Sequence, residues 1–117
     1  MAVRVAVVGS CAAGKTSVVA RLREHGIDAW AVAQEHSGIP KLWRHLGPDR
    51  LVFLDTTLAT VRQRRDDANW PAWIFNVQQE RLANAREHAD VLVATDALSL
   101  NEVVAAILDS LTVPHPT

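Results

Sequence analysis

The chain has 117 residues, 49% of them apolar and 21% charged, with a formal net charge of −1. That length argues for one domain with a small core, and the near-neutral balance gives no case for a nucleic-acid polymer or an anionic membrane as partner. No apolar run approaches membrane-spanning length, and the single cysteine excludes an internal disulfide and fits a reducing cytoplasm.

The first apolar run, Val3 to Val8, reads as a buried strand. It leads straight into Gly9-Ser10-Cys11-Ala12-Ala13-Gly14-Lys15-Thr16, the pattern G-x-x-x-x-G-K-[ST]. A strand and a phosphate loop in these first residues are not what a signal peptide is expected to show. At ordinary residue frequencies the bare pattern arises by chance in roughly a few chains per thousand of this size. Thr16 and Ser17 begin a helical stretch that runs through Leu22 and ends near Gly26, which suits a C-terminal cap.

A strand before and a helix after are what the pattern's chemistry requires. Loop amides encircle a phosphate, and the helix N-terminus adds the positive end of its dipole. The expected binding residues are Gly9, Ser10, Cys11, Ala12, Ala13, Gly14, Lys15, Thr16 and Ser17. Lys15 is expected on the terminal phosphates of a nucleoside triphosphate and the Thr16 hydroxyl on Mg2+. A glycine-bearing turn that binds nothing is the competing explanation, and Ala12 is its best support, since many such loops carry glycine there. Cys11 reads as a small loop residue or as a thiol activated by the helix N-terminus. Lys15→Ala is expected to remove nucleotide affinity at little cost in stability, because a loop lysine contributes little core.

Ala29–Ala33, Leu51–Leu54 and Val91–Ala94 are apolar nearly throughout, as in strands covered on both faces. Helical patterns separate them. The fold expected is therefore α/β, a three-layer sandwich around a short parallel sheet of about four strands. Between the second and third runs there is room for one short helix, with Pro40 at its first position, but not for another strand. Near the C-terminus, Ser99 and Glu102 form a capping box and Leu98 and Val103 have staple spacing. Val103, Val104, Ile107, Leu108 and Leu111 then make a buried stripe. One domain is expected over 1–113, with Pro114-His115-Pro116-Thr117 as a frayed tail.

Ligands of an open parallel sheet sit at the carboxyl ends of its strands, so the residues there are the candidates. Gln34-Glu35-His36 follows the second strand, Asp55-Thr56-Thr57 the third and Thr95-Asp96 the fourth. Glu35 can orient a metal water or a substrate hydroxyl, or be a solvated loop acid. Asp55 divides between holding Mg2+ and capping the next helix. His36 has no second histidine or cysteine at ligand spacing and reads as a loop or pocket residue. Arg62 and Arg65 share a helical face and can neutralise charge on a transferring phosphoryl group, unless Arg62 merely pairs with Asp66. Trp70 and Trp73 flank Pro71 either as a short lid or as packing. Arg81 and Arg86 fall on different faces of the helix that follows.

In this order of elements the chain resembles the small-molecule kinases of the phosphate-loop superfamily, the adenylate, thymidylate and shikimate kinase group. The resemblance rests on Gly9–Thr16, on Gln34-Glu35-His36 after the second strand, on Pro48–Asp55 followed by Arg62 and Arg65, and on Ala89–Asp96 before a capped last helix. It implies ATP and Mg2+ as cofactors and transfer of the γ-phosphate to a small acceptor such as a nucleoside or nucleotide. Lys15, Glu35, Arg62 and Arg65 would be the catalytic groups, and Thr16 and Asp55 the metal ligands. Two departures stand out: the strand that often carries the family's metal-organising acid is missing, and the lid is cut to a few residues. A non-catalytic or weakly hydrolytic ATP-binding module is the alternative. A GTPase switch is disfavoured, because neither Asn-Lys-x-Asp nor Asp-x-x-Gly occurs in the chain.

Overall fold

The computed structural model describes residues 2–112, with only the backbone of Thr112. In chain order the elements are β1 (Arg4–Gly9), α1 (Lys15–Glu24), β2 (Asp28–Ala31), β3 (Arg50–Asp55), α2 (Leu58–Arg64), α3 (Ala72–His88), β4 (Val91–Ala94) and α4 (Leu100–Thr112). Two 3-10 turns, Gln34–His36 and Leu42–Arg44, fill the connection between β2 and β3. The strands form one sheet in the order β2-β1-β3-β4, every pair parallel. An α/β fold with a four-stranded parallel sheet is therefore what the apolar runs imply and what is found. The proposed tail, 114–117, lies outside the described residues, as do the two ends of the 1–113 domain.

Strand periodicity builds the two cores. Val5 and Val7 of β1 and Val52 and Leu54 of β3 point to one face, where α1 and α4 cover them with Val18, Val19, Leu22, Val103, Val104 and Ile107. Ala6 and Val8, with Leu51 and Phe53, point to the other and meet Leu82 and Ala85 of α3 and Trp43 of the second 3-10 turn. Both faces of β1 and β3 are dry, which is why their sequences are apolar without alternation. The capping box is formed: Ser99 N–H donates to Glu102 Oε1 at 3.0 Å and Glu102 N–H to Ser99 Oγ at 3.2 Å.

Three local expectations are corrected. β2 covers Asp28–Ala31 rather than 29–33, because Val32 makes the last backbone bond to Val7 and the chain then turns into the 3-10 segment. Pro40 starts no helix; it lies between the two short turns. The capping role weighed for Asp55 belongs to Thr57, whose Oγ1 accepts from Thr60 N–H at 3.3 Å. Asp55 is instead the last residue of β3.

Candidate functional site

β1 sits between β2 and β3, and the loops that leave β1 and β3 run to opposite faces of the sheet, the first to α1 and the second by way of α2 to α3. A crevice opens where such loops part, and ligands of parallel sheets collect there. The loop between β1 and α1 stands at this point.

Its path is dictated by two glycines. A Cβ on Gly9 would lie 2.8 Å from the Leu54 carbonyl oxygen, so only glycine lets β1 turn this close to β3. Gly14, the residue before α1, has φ 93°, a conformation that costs an L side chain about 1–2 kcal/mol. Ala12 adopts φ 62° without that freedom. One bond within the loop and several from outside hold the turn in place. Ala13 N–H donates to the Ser10 carbonyl at 3.1 Å, and Cys11 N–H to Oε1 of the buried Gln78 at 3.0 Å. Arg64 Nη1 donates to the Ala12 carbonyl at 3.0 Å while Nη2 donates to that of Thr95 at 3.0 Å. The loop is thus braced from α2 and α3 at once.

The start of α1 is left open. It has no side-chain cap and no acidic residue in its first turn. Four amides at a helix start lack intrahelical partners, so this end is suited to an anion. Above it lies a cleft of about 350 Å3, lined by Cys11 to Ser17 together with Glu35 and His36. Beyond the ridge of Ala12–Gly14 is a second cavity of about 180 Å3, walled by Ser17, Val18, Arg64, Thr95 and Leu98 among others. A third, also about 180 Å3, is bounded by Gly38, Pro40, Glu80, Arg81 and Asn84. Arg81 Nη1 donates to the Glu35 carbonyl at 3.3 Å, which joins this last groove to the cleft.

Lys15 and Glu35 meet over the loop. The Lys15 ammonium donates to the carbonyls of Gly9 (2.8 Å) and Ser10 (3.1 Å) and to Glu35 Oε2. Glu35 is buried, and its other oxygen, Oε1, has no hydrogen-bond partner. Gln34 explains how a carboxylate comes to be held there. Its side chain is fully buried, with Nε2 donating to the Ile39 carbonyl (2.6 Å) and Oε1 accepting from Trp43 N–H (3.0 Å), so the 3-10 turn is fixed from beneath. His36 stands at the rim, exposed, with Nε2 3.9 Å from Glu35 Oε2.

The remaining candidates are placed otherwise. Asp55 forms an ion pair with Arg86 at 2.8 Å, and Arg86 also stacks on Phe53. Arg62 does not share a task with Arg65: its Nε donates to the Trp70 carbonyl at 2.9 Å. Arg65 reaches the loop, with Nη1 3.0 Å from Cys11 Sγ and its guanidinium over the Trp70 ring. Trp70 is buried as packing, whereas Trp73 is exposed. Asp96 accepts from Thr57 N–H and Oγ1 at 3.0 and 2.9 Å, and hydrogen bonds from Thr60 and Thr57 hold its carboxyl below the ordinary 3.8.

Two contributors escaped the sequence reading. Arg64 is invisible to a face-sharing argument because α2 is one short helix whose last turn, not its face, meets the loop. Gln78 lies mid-helix, and only its burial reveals it. No group of three or more metal-ligating side chains occurs among the described residues, and none of their helices is long and apolar enough to cross a membrane. No protein-family model matches the chain, and no curated protein matches it either.

Proposed function

We propose that the chain is a phosphate-loop protein that binds a magnesium–nucleoside triphosphate in the cleft above α1, with ATP as the expected ligand, and passes its γ-phosphate to a small acceptor. The observation that carries this reading is the conjunction of an uncapped α1, a lysine at its first position and a buried carboxylate with one orphaned oxygen, all on one cleft. A volume of about 350 Å3 equals roughly ten waters, enough for a chain of phosphates. The amides of Gly14 to Ser17 suit the phosphates, Lys15 their negative charge, and the cavity beside Arg64 and Leu98 the nucleoside.

The residues present fit a magnesium ion. Glu35 Oε1 is a buried acceptor in want of a partner, and the exposed Thr16 hydroxyl lines the same cleft. Mg2+ keeps most of its coordination for water and phosphate, so two protein oxygens suffice. When bound it would offset charge on the phosphates. Asp55, already paired with Arg86, is the weaker candidate. The acceptor would approach from the groove of Gly38, Pro40, Arg81 and Asn84, past Glu35, which orients its hydroxyl.

One observation favours the alternative, a binding module without transfer. Arg62, Arg64, Arg65, Arg81 and Arg86 all donate to protein groups, so neutralising a transferring phosphoryl group requires one of them to let go. Calorimetry with Mg-ATP and Mg-GTP, followed by labelled γ-phosphate and an acceptor panel, separates the readings. Binding with transfer supports the kinase; binding alone supports the module. No heat with either nucleotide ends both.

A further inference from the structure

Lys15 is the group a triphosphate must recruit, yet its ammonium is already spoken for by two loop carbonyls and Glu35. Both charges are enclosed, the Lys15 side chain 14% exposed and that of Glu35 4%. Glu35 rides on a main chain that is held in place. Its turn is pinned by the two bonds of Gln34, and its own carbonyl is held by Arg81. His36, at the rim of the cleft, is a weaker replacement, since its side chain is 63% exposed and its Nε2 lies 3.9 Å from Glu35 Oε2. Moving Lys15 onto phosphates alone would therefore leave a buried carboxylate, both oxygens unpaired, facing an incoming polyanion. Breaking a buried pair from one side is strongly unfavourable.

We propose that Glu35 is the ligand-selectivity determinant of the cleft: it admits a triphosphate only in company with a divalent cation. The cation takes over from Lys15 as counter-charge of the carboxylate while Lys15 turns to the phosphates. One carboxylate is thus exchanged between two cations, and that exchange couples metal to nucleotide. Coupling is reciprocal, so nucleotide raises the affinity for metal by the factor by which metal raises that for nucleotide. This inference rests on the magnesium–triphosphate reading above.

The test is calorimetry of the wild-type chain and Glu35→Gln with ATP, in EDTA and in excess Mg2+. In the wild type, Mg2+ strengthens binding at least about a hundredfold. In Glu35→Gln, metal-free ATP binds about tenfold more tightly than in the wild type, because an amide holds Lys15 less firmly, and the gain from Mg2+ falls below about tenfold. A merely structural Glu35 would weaken binding under both conditions. Metal-free binding that is unchanged or weaker in Glu35→Gln overturns the inference, as does wild-type affinity indifferent to Mg2+. Wild-type protein that binds ATP under neither condition instead overturns the underlying nucleotide reading. If Glu35→Gln does not fold, Mn2+ titrated into the wild type decides, followed by water-proton relaxation, which is enhanced by protein-bound ion. Enhancement that needs ATP supports the exchange; equal enhancement without nucleotide refutes it.

Discussion

α1 and α4 pack on the same face of the sheet and start at the same end of it, yet their first turns are finished differently. α4 closes its own amides: Ser99 and Glu102 bond each other's backbone, and Ser99 holds the Glu102 carboxyl below its ordinary 4.5. α1 begins at Gly14 with no side-chain cap and no acid. Ser17 stands at the third position of α1, where α4 has Glu102. One helix start is sealed and the other kept open, over a cleft that contains a lysine. Local stability has been forgone where an anion could supply it.

The sharpest way to break this contrast is Lys15→Ala. Triphosphate affinity should fall at least about a hundredfold, because a charge-assisted contact to the phosphates is lost. The substitution also strands the buried Glu35, so urea denaturation should show a loss of about 3 kcal/mol. The sequence-based expectation of little change in folding is revised for that reason. An unaltered urea midpoint would mean that the Lys15–Glu35 pair contributes nothing to the fold. Next in size is Ser17→Glu, which gives α1 the acid that α4 has. Thermal stability should rise by about 0.5 kcal/mol while calorimetric affinity for Mg-ATP drops at least about tenfold. Retained affinity would show that the open helix end is not where phosphate binds.

On the sealed side, Ser99→Ala should cost about 1 kcal/mol in thermal unfolding and leave nucleotide binding untouched. Glu102 adds a pH dependence of definite sign. Its folded value is depressed, so its contribution is present above 4.5 and is lost as pH falls through the lowered value. In Ser99→Ala that acid-side loss should shrink, which melting curves at descending pH would register. Smallest of all, Ala12→Gly relieves a positive φ and should stabilise by about 0.5 kcal/mol, the strain removed being partly offset by chain entropy.

Legibility followed locality. β1 and β3 could be read because burial on both faces leaves apolar runs, and α4 because its cap and stripe are encoded within consecutive residues. β2 and β4, expected to be covered on both faces as well, are edge strands with one side exposed, apolar there only because residues such as Leu92 face out. The Gly9–Thr16 pattern carried its own strand and helix. What could not be read depends on side-chain contacts that no spacing rule supplies, some of them between elements distant in sequence. Gln34 matters through Ile39 and Trp43, Gln78 through Cys11, and Arg64 through Ala12 and Thr95. Asp55 and Arg86 are each ambiguous alone, and only folding brings them together. Arg62 and Arg65 were grouped by helical spacing, which ignores where a short helix ends.

The direct pairing of β2 with β1 has a mechanical corollary. β2 has four residues and a single neighbour, whereas β3 is flanked on both sides. An outermost ribbon opens at lower free energy than an inner one, so its amides trade hydrogen for deuterium earlier. The segment that bears Glu35 is therefore moored to one of the two margins of the sheet, β4 forming the other. Brief fraying there would disarm the cleft while the other three strands and the loop endure, a reversible outage rather than collapse.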